Sequence, residues 1–325
     1  MTFPARFRLY TGTMSRPLRF IPEEGSLVEV TCRTNQGRYL LRPDPVIDDI
    51  LLGVLGRAQR LYPVEICGFS FLSSHYHLLL WVPDARSMAK FMWYFQTNAA
   101  REVARRTDWP DGIWSDRYTS IPVSDEPAAQ VDRLRYVLAQ GVKDGLVAKV
   151  EEWPGISMLK AVLEGKPIRG TWFNRTQEYR ARLRQNKKDS EPQRFPSEEI
   201  VTLSQLPCWR HLSPEVYRGL VAGLVREIES DAAAERRLTG REPLGREVIL
   251  SQHPQTRPEK LKKSPAPLFH AVSKDARQAL RAAYGLFLGA FREAAERLKA
   301  GDRLARFPNG CFPPALPFVG WSASP

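Results

Sequence analysis

The sequence is poor in cysteine and has no long apolar run. Its four cysteines, Cys32, Cys67, Cys208 and Cys311, lie far apart, and no two of them form a Cys-x-x-Cys pair. This spacing argues against a zinc knuckle and a disulfide framework, and it is typical of a reducing compartment. No stretch approaches the roughly 18 consecutive apolar residues of a membrane span, and the first residues lack the apolar core of a secretion signal. We therefore expect a cytoplasmic protein with no membrane partner.

Acidic residues are outnumbered by basic ones. The chain has 48 Lys and Arg residues against 36 Asp and Glu residues, which gives a formal net charge of +12. Such an excess suits a polyanionic partner, of which nucleic acid is the leading candidate. The alternative is that the charge serves only solubility or follows genome composition, because charge alone defines no site.

The first half of the chain is predicted to alternate between strands and helices. Alternating apolar and polar residues over 26–34 predict a strand, and apolar residues at helical spacing over 43–63 predict a helix. Two apolar runs, 64–74 and 75–83, meet at a pair of serines with no room for a crossover helix, so we predict a hairpin. The remaining predicted elements of this half are a helix over 85–107, a strand over 116–124 and a helix over 126–147.

This order of elements predicts an α+β fold class. A β-α-β-β-α-β chain followed by a last helix is a ferredoxin-like arrangement, an antiparallel sheet with helices on one face and an open face for a ligand. Residues 184–199 are charged, contain proline and have few large apolar side chains, which predicts a linker or exposed loop. Residues 200–325 are predicted to form a mainly helical C-terminal region, whose role the sequence does not define.

Two histidines stand one residue apart in "SSHYHLLLW", residues 73–81. In a strand, the side chains of His75 and His77 would project from the same face, close enough to share one metal ion. A metal site needs a further ligand from another element. In the helix predicted over 126–147, Tyr136 and Gln140 are four residues apart and would place a hydroxyl and a carbonyl oxygen side by side. Taken alone, the histidines could instead be a hydrogen-bonded core pair and the tyrosine a core residue.

Three stretches of the chain resemble one family. They are "SSHYHLLLWVP", then "WSDRYTS" (114–120), which is similar to Trp-x-x-Arg-Tyr-x-Ser, and "YVLAQGVKDGLV" (136–147), which is similar to Tyr-Ile-x-x-Asn-Pro-Val-x-Ala-Gly-Leu-Val. In these motifs and their order the sequence resembles the HUH single-tyrosine transposases and, within them, the REP-associated tyrosine transposases. The resemblance implies an HUH nuclease core over 15–165 that acts as a metal-dependent single-strand DNA endonuclease and strand transferase in DNA transposition.

The resemblance also implies a role for each site residue. His75, His77 and Gln140 would bind a divalent metal, Mg²⁺ or Mn²⁺, and Tyr136 would attack a DNA phosphorus to form a 5′-phosphotyrosine. The expected partner is single-stranded or hairpin DNA, and a homodimer is left open. The chain departs from the family pattern at three positions: Gln140 replaces Asn, Gly141 replaces Pro, and Tyr76 replaces an aliphatic residue.

Independently of the family, the same residue types suit phosphoryl transfer, in which the protein mainly positions groups and neutralises charge. Oxygen and nitrogen ligands also favour Mg²⁺ or Mn²⁺ over a structural Zn²⁺.

Four further residues are candidate DNA contacts, each with an alternative. Arg117 and Tyr118 belong to the second motif, but they could equally be an ion-paired surface arginine and a packed ring. Arg101 and Arg105 lie in a basic cluster that could bind phosphate or simply form a solvated helix face.

Two rival functions remain open from the sequence. The first is a domesticated DNA-binding protein that keeps the fold and does not cleave. The second is an HUH nuclease of replication or plasmid transfer, which is disfavoured because the chain has no Gly-x-x-x-x-Gly-Lys-Ser/Thr loop of a helicase.

Overall fold

The computed structural model describes residues 18–22, 25–184, 193–259, 266–311 and 313. Its centre is an antiparallel sheet of the strands β1 (Ser26–Arg33), β2 (Glu65–Leu72), β3 (His75–Val82) and β4 (Thr119–Val123). The strand order is β2-β3-β1-β4. Helix α1 (Pro45–Leu61) connects β1 to β2, and α2 (Ala85–Thr107) connects β3 to β4. This is the predicted ferredoxin-like arrangement, so the α+β fold class is confirmed.

Both helices begin at side chains that cap them. Asp44 accepts hydrogen bonds from the backbone N–H groups of Val46 and Ile47, at 3.0 and 3.1 Å, just before α1. Asp84 accepts one from the N–H group of Ser87, at 2.8 Å, at the start of α2. These caps satisfy donors that a helix leaves unpaired in its first turn. They explain why both helices begin close to their predicted positions.

Tyr76 marks the sheet face that α2 covers. Its side chain is fully buried, and its ring lies 5.5 Å from the ring of Phe95 on α2 and 5.4 Å from the ring of Trp114. Its hydroxyl accepts a hydrogen bond of 2.9 Å from Gln96. Since strand side chains alternate, the residues on either side of Tyr76 project from the opposite face of β3.

That opposite face is partly covered by α3 (Pro127–Leu138), which α4 (Gln140–Lys143) follows after a break at Ala139. The single helix predicted over 126–147 is therefore wrong in extent, because the chain breaks at Ala139 and turns at Gly145, whose φ is +68°. Across the break, the Gln140 side-chain amide donates a hydrogen bond of 2.9 Å to the backbone carbonyl of Tyr136.

A second, two-stranded sheet packs on α1. Its strands are β5 (Ile168–Phe173) and β6 (Pro196–Val201). The approach is close, because a Cβ added at Gly170 would lie 2.2 Å from the backbone nitrogen of Gly53. Glu199 of β6 is buried and forms ion pairs of 3.1 Å with Arg57 and 2.8 Å with Arg60, both on α1.

The linker predicted over 184–199 is thus wrong for its last residues. They pair with β5, and the composition of a segment does not reveal a pairing partner elsewhere in the chain. Residues 185–192 lie outside the described residues.

The remaining described elements are helical, as predicted for the C-terminal region. Helix α7 (Pro214–Thr239) buries Tyr217, Val221, Leu224 and Ile228 in the same hydrophobic core as the main sheet. Within the described ranges, no helix is both long and apolar enough to cross a membrane. The other α-helices of the described residues are α5 (Leu159–Glu164), α6 (Arg175–Arg184), α8 (Arg246–Ser251) and α9 (Lys274–Lys299).

Candidate active site

The two histidines lie together on the α3 face of the sheet. His75 and His77 begin β3, and their ring centroids are 5.2 Å apart. In the strand register, His77 stands between Thr31 of β1 and Ser70 of β2, so it is held from both sides and is 6% exposed. The structure therefore brings the two imidazoles together as the strand periodicity predicts.

Tyr136 of α3 lies directly against this pair. Its ring centroid is 5.5 Å from that of His77, with the two rings nearly perpendicular. Two cations contact the same ring: Lys143 Nζ lies 4.0 Å from the ring centroid and Arg133 Cζ lies 4.8 Å from it. Such contacts are favourable cation–π interactions, and they place two basic side chains beside the Tyr136 ring.

Gln140 is joined to Tyr136 by the hydrogen bond that crosses the helix break. Its side chain is 2% exposed, and its amide nitrogen is engaged by the Tyr136 carbonyl. The amide oxygen is the part of this side chain that remains for another partner. Tyr136 and Gln140 are thus in contact across two short helices, through the Tyr136 backbone carbonyl and the Gln140 amide nitrogen.

Glu29 is a central residue of the site that the sequence analysis missed. It lies on β1, is 3% exposed, and places Oε1 3.0 Å from His77 Nδ1. Its Oε2 lies 2.8 Å from His270 Nε2 and 3.4 Å from Arg133 Nη1. Burial would raise the pKa of Glu29, but His270 and His77 outweigh it through hydrogen bonding and charge, and they hold that pKa well below its ordinary value. Glu29 is therefore an ionised acceptor in the folded protein.

A sequence signal for Glu29 existed, whereas none existed for His270. The alternation in "SLVEVTCRT" places Glu29 and Thr31 on one face of β1, and a glutamate within an apolar strand is unusual. His270 arrives from the C-terminal region by pairing beside β4, where its N–H donates to the carbonyl of Pro122 at 3.0 Å. Nothing in the local sequence around His270 indicates that pairing.

His75 is held in a neutral form by its surroundings. Ser74 Oγ lies 3.1 Å from His75 Nδ1. Burial, followed by the nearby His77, Arg33 and Lys143, lowers the pKa of His75 well below its ordinary value. A histidine must be neutral to bind a metal, so this environment favours the ligand form.

The donor set fits a divalent cation in its chemistry. Each imidazole uses Nδ1 for a protein contact, to Ser74 or to Glu29, which leaves Nε2 for a ligand. A carboxylate behind a histidine is the usual support of a metal ligand. In the part of the chain that the structure describes, no three His, Cys, Asp or Glu side chains are arranged to hold a metal. A third ligand beside His75 and His77 must therefore come from another residue type, and the Gln140 amide oxygen is the candidate that the sequence predicts.

The four predicted DNA contacts do not join this site as a group. Tyr118 is 4% exposed and lies under Arg19, whose Cζ is 4.5 Å from the ring centroid, so it is the packed ring of the alternative and cannot stack on a base. Arg117 is exposed. Arg101 and Arg105 are exposed on α2, which covers the sheet face opposite to the histidines, and Arg105 forms an ion pair of 3.2 Å with its helix neighbour Glu102.

Comparisons with known proteins give only distant likenesses. No protein-family model matches the chain, and no curated protein matches it. One similar solved structure is a REP-associated tyrosine transposase bound to a REP hairpin, with 19% identity and a TM-score of 0.37 over 46% of this chain and 86% of that one. Another is a protein from Deinococcus radiodurans R1 provisionally named a transposase, with 18% identity and a TM-score of 0.27 over 37% of this chain and 94% of that one. At these levels neither structure assigns a family or an activity to this chain.

Proposed function

We propose that this protein is a metal-dependent, transposase-type DNA endonuclease and strand transferase with Tyr136 as its nucleophile. One observation carries the proposal: the Tyr136 ring lies 5.5 Å from the ring of His77, which in turn lies 5.2 Å from the ring of His75. A nucleophile beside two potential metal ligands is an arrangement that suits metal-assisted phosphoryl transfer through a covalent intermediate. The residue resemblance to the single-tyrosine transposases supports the same reading.

His75, His77 and Gln140 are the residues that would hold Mg²⁺ or Mn²⁺. When bound, such an ion polarises a phosphate oxygen and neutralises charge that develops during the reaction. The contribution of the protein is orientation. Glu29 accepts a hydrogen bond from His77 Nδ1 at 3.0 Å and so directs Nε2 of that ring away from the carboxylate.

Tyr136 supplies the covalent chemistry. Its hydroxyl oxygen forms a bond to a DNA phosphorus, the bond between that phosphorus and the 3′ oxygen of the preceding nucleotide breaks, and the phenol proton is balanced by protonation of the released 3′ oxygen. Arg133 and Lys143, which contact the Tyr136 ring, attract the negatively charged phosphate to the nucleophile. The phosphotyrosine bond conserves the energy of the cleaved bond, so attack by another 3′ hydroxyl rejoins strands.

Single-stranded DNA, including the unpaired parts of a hairpin, is the proposed substrate. Tyr136 is only partly exposed, between α3 and the sheet, and a flexible single strand can bring a phosphate into such a recess more easily than a rigid duplex. Basic side chains at this recess, Arg133 and Lys143, match the polyanionic partner that the net charge of +12 favours.

The test is capture of the covalent intermediate on hairpin-containing single-stranded DNA with Mn²⁺. A 3′-labelled strand should migrate with the protein on a denaturing gel, whereas a 5′ label should appear on a shorter free fragment. Tyr136→Phe should abolish the adduct, and EDTA should do the same for the unmodified protein. Tyr179→Phe is the matched control, because Tyr179 is 55% exposed on α6 and should be dispensable. Tight DNA binding without an adduct on a panel of hairpins would instead support the non-cleaving DNA-binding protein.

A further inference from the structure

We infer that His270 is a positioning residue of the candidate active site, supplied by the C-terminal region and acting on His77 through Glu29. The inference rests on the proposed function and deepens it, because it gives the segment that precedes α9 a role in the reaction. Nothing in the resemblance covers this segment, which lies outside the predicted catalytic domain.

The contact geometry places Glu29 between two histidines. One carboxylate oxygen lies 3.0 Å from His77 Nδ1, and the other lies 2.8 Å from His270 Nε2. Glu29 is 3% exposed, so water cannot replace the contacts that its carboxylate makes with the protein. The terminal torsion of a glutamate is soft and roughly two-fold, which means that partners on both oxygens are needed to fix the carboxylate plane.

Loss of His270 would leave Arg133 as the partner of Glu29 Oε2, at the longer distance of 3.4 Å. The carboxylate could then rotate, and the His77 ring that depends on its other oxygen would be held less firmly. The Nε2–Oε2 contact of 2.8 Å is short but not well aligned with the ring N–H, so it is a close polar contact that limits rotation of the Glu29 carboxylate. Its effect on His77 is therefore one of orientation.

The main chain, and not the His270 side chain, holds the segment in place. The N–H of His270 donates to the carbonyl of Pro122 at 3.0 Å, and its carbonyl accepts from the N–H of Ser124 at 2.8 Å. Glu126 then accepts from the N–H groups of Val272 and Ser273, both at 2.9 Å, at the start of α9. If the segment only stabilised the fold, these main-chain hydrogen bonds would be sufficient, and no side-chain contact with Glu29 would be needed. Replacing the imidazole should therefore leave the segment docked and remove only the contact with Glu29.

Two amide replacements test this in the full chain. In His270→Gln the amide nitrogen can occupy the place of Nε2 and reach Glu29, whereas in His270→Asn it corresponds to Nδ1 and falls short. His211→Asn is the control, since His211 is exposed in the same region. We measure Mn²⁺ affinity from the EPR signal of the free ion, the rate of adduct formation, and the ¹⁵N signals of the His77 ring without metal. His270→Asn should lose about tenfold in Mn²⁺ affinity and adduct rate and shift the His77 signals, by analogy with other residues that support metal ligands. His270→Gln should recover most of the loss, and the control should change nothing.

The outcomes separate this inference from the proposed function. If folded His270→Asn matches the unmodified protein in Mn²⁺ affinity and in its His77 signals, His270 positions nothing and the inference is overturned. If the unmodified protein neither binds Mn²⁺ nor forms adducts, the proposed function fails. In that case a shift of the His77 signals in His270→Asn, absent from His270→Gln, still upholds the positioning contact.

Discussion

Glu29 Oε1 lies 3.0 Å from His77 Nδ1, and this contact determines which nitrogen His77 can offer to a ligand. An ionised carboxylate can only accept, so Nδ1 carries a proton and Nε2 is the ring nitrogen that faces away from Glu29. The contact is buried, with both side chains less than a tenth exposed. A fixed ring orientation and a bare Nε2 are the two properties that a metal-binding histidine needs.

Glu29→Gln should therefore weaken metal binding with little change in shape. The amide keeps the size of the carboxylate but loses the charge that His77, His270 and Arg133 share. We expect a loss of about 10- to 100-fold in Mn²⁺ affinity, and a fall of about 1–3 kcal/mol in the free energy of unfolding. Mn²⁺ titration and urea unfolding measure these two effects. Glu227→Gln, at an exposed position of α7, is the control, and equal Mn²⁺ affinity of both variants would contradict the role given to Glu29.

His77→Ala and Tyr136→Phe should both stop adduct formation, by different routes. The first removes a proposed metal ligand, so a large excess of Mn²⁺ should restore part of the activity. The second removes the attacking oxygen, which no metal concentration can replace. A Mn²⁺ titration of adduct yield distinguishes them. Adducts in Tyr136→Phe would show that another tyrosine is the nucleophile.

Lys143→Gln should reduce the salt dependence of binding to single-stranded DNA. Lys143 Nζ lies 4.0 Å from the Tyr136 ring centroid, where a scissile phosphate would approach. Each phosphate contact contributes about −0.7 to the slope of log affinity against log salt for single strands, so losing one contact should make the slope less steep by about that amount. Fluorescence anisotropy at several salt concentrations measures the slope. Lys160→Gln, at an exposed residue of α5, should keep the original slope, and an unchanged slope for Lys143→Gln would remove it from the DNA surface.

The parts of the site that could be predicted are those that depend on local periodicity. His75 and His77 share a face because they are two residues apart in a strand, and the hairpin follows from two apolar runs with no room between them. The contact of Glu29 with His77 depends on the register between β1 and β3, which no local pattern fixes. The place of His270 in the site depends on its pairing with β4, which is far away in the sequence, so no sequence motif predicts it.

The wrong expectations have the same origin. Residues 196–199 look like a loop because they are polar, yet Glu199 is buried by Arg57 and Arg60 from another element. Tyr118 is a candidate base contact by its motif, yet its ring is buried and lies under Arg19. The composition of a segment shows that its side chains are polar, but contacts with distant parts of the chain determine whether those side chains are buried or exposed.

Alanine substitutions at two glycines should have opposite effects on stability, because Gly170 lies in the close contact between α1 and β5 and Gly289 lies in open space on α9. In Gly170→Ala the added Cβ would lie 2.2 Å from the Gly53 nitrogen, so the second sheet must move away from α1. We expect a loss of about 1–3 kcal/mol in the free energy of unfolding, as for other overpacked sites. Gly289→Ala in α9 has nothing within 4 Å of the added Cβ, and helix propensity should make it neutral or stabilising by up to about 1 kcal/mol. Urea unfolding measures both, and equal stability of the two variants would contradict the packing of β5 on α1.

Asp48 in the first turn of α1 should make stability depend on pH. Burial raises the pKa of Asp48 from 3.8 to about 7. Between these values the folded protein binds a proton that the unfolded chain does not, so the contribution of Asp48 is complete below about pH 4 and is lost as the pH rises towards 7. Asp48→Asn cannot lose a proton, so its free energy of unfolding should exceed that of the unmodified protein by an increasing amount over this range, reaching about 1–3 kcal/mol above pH 7. Asp49→Asn, at the exposed neighbouring position, is the control and should show no such rising advantage. Urea unfolding at pH 4, 5.5, 7 and 8 measures the difference in the free energy of unfolding between Asp48→Asn and the unmodified protein. If that difference is the same at all four pH values, Asp48 ionises as freely in the folded protein as in the unfolded chain.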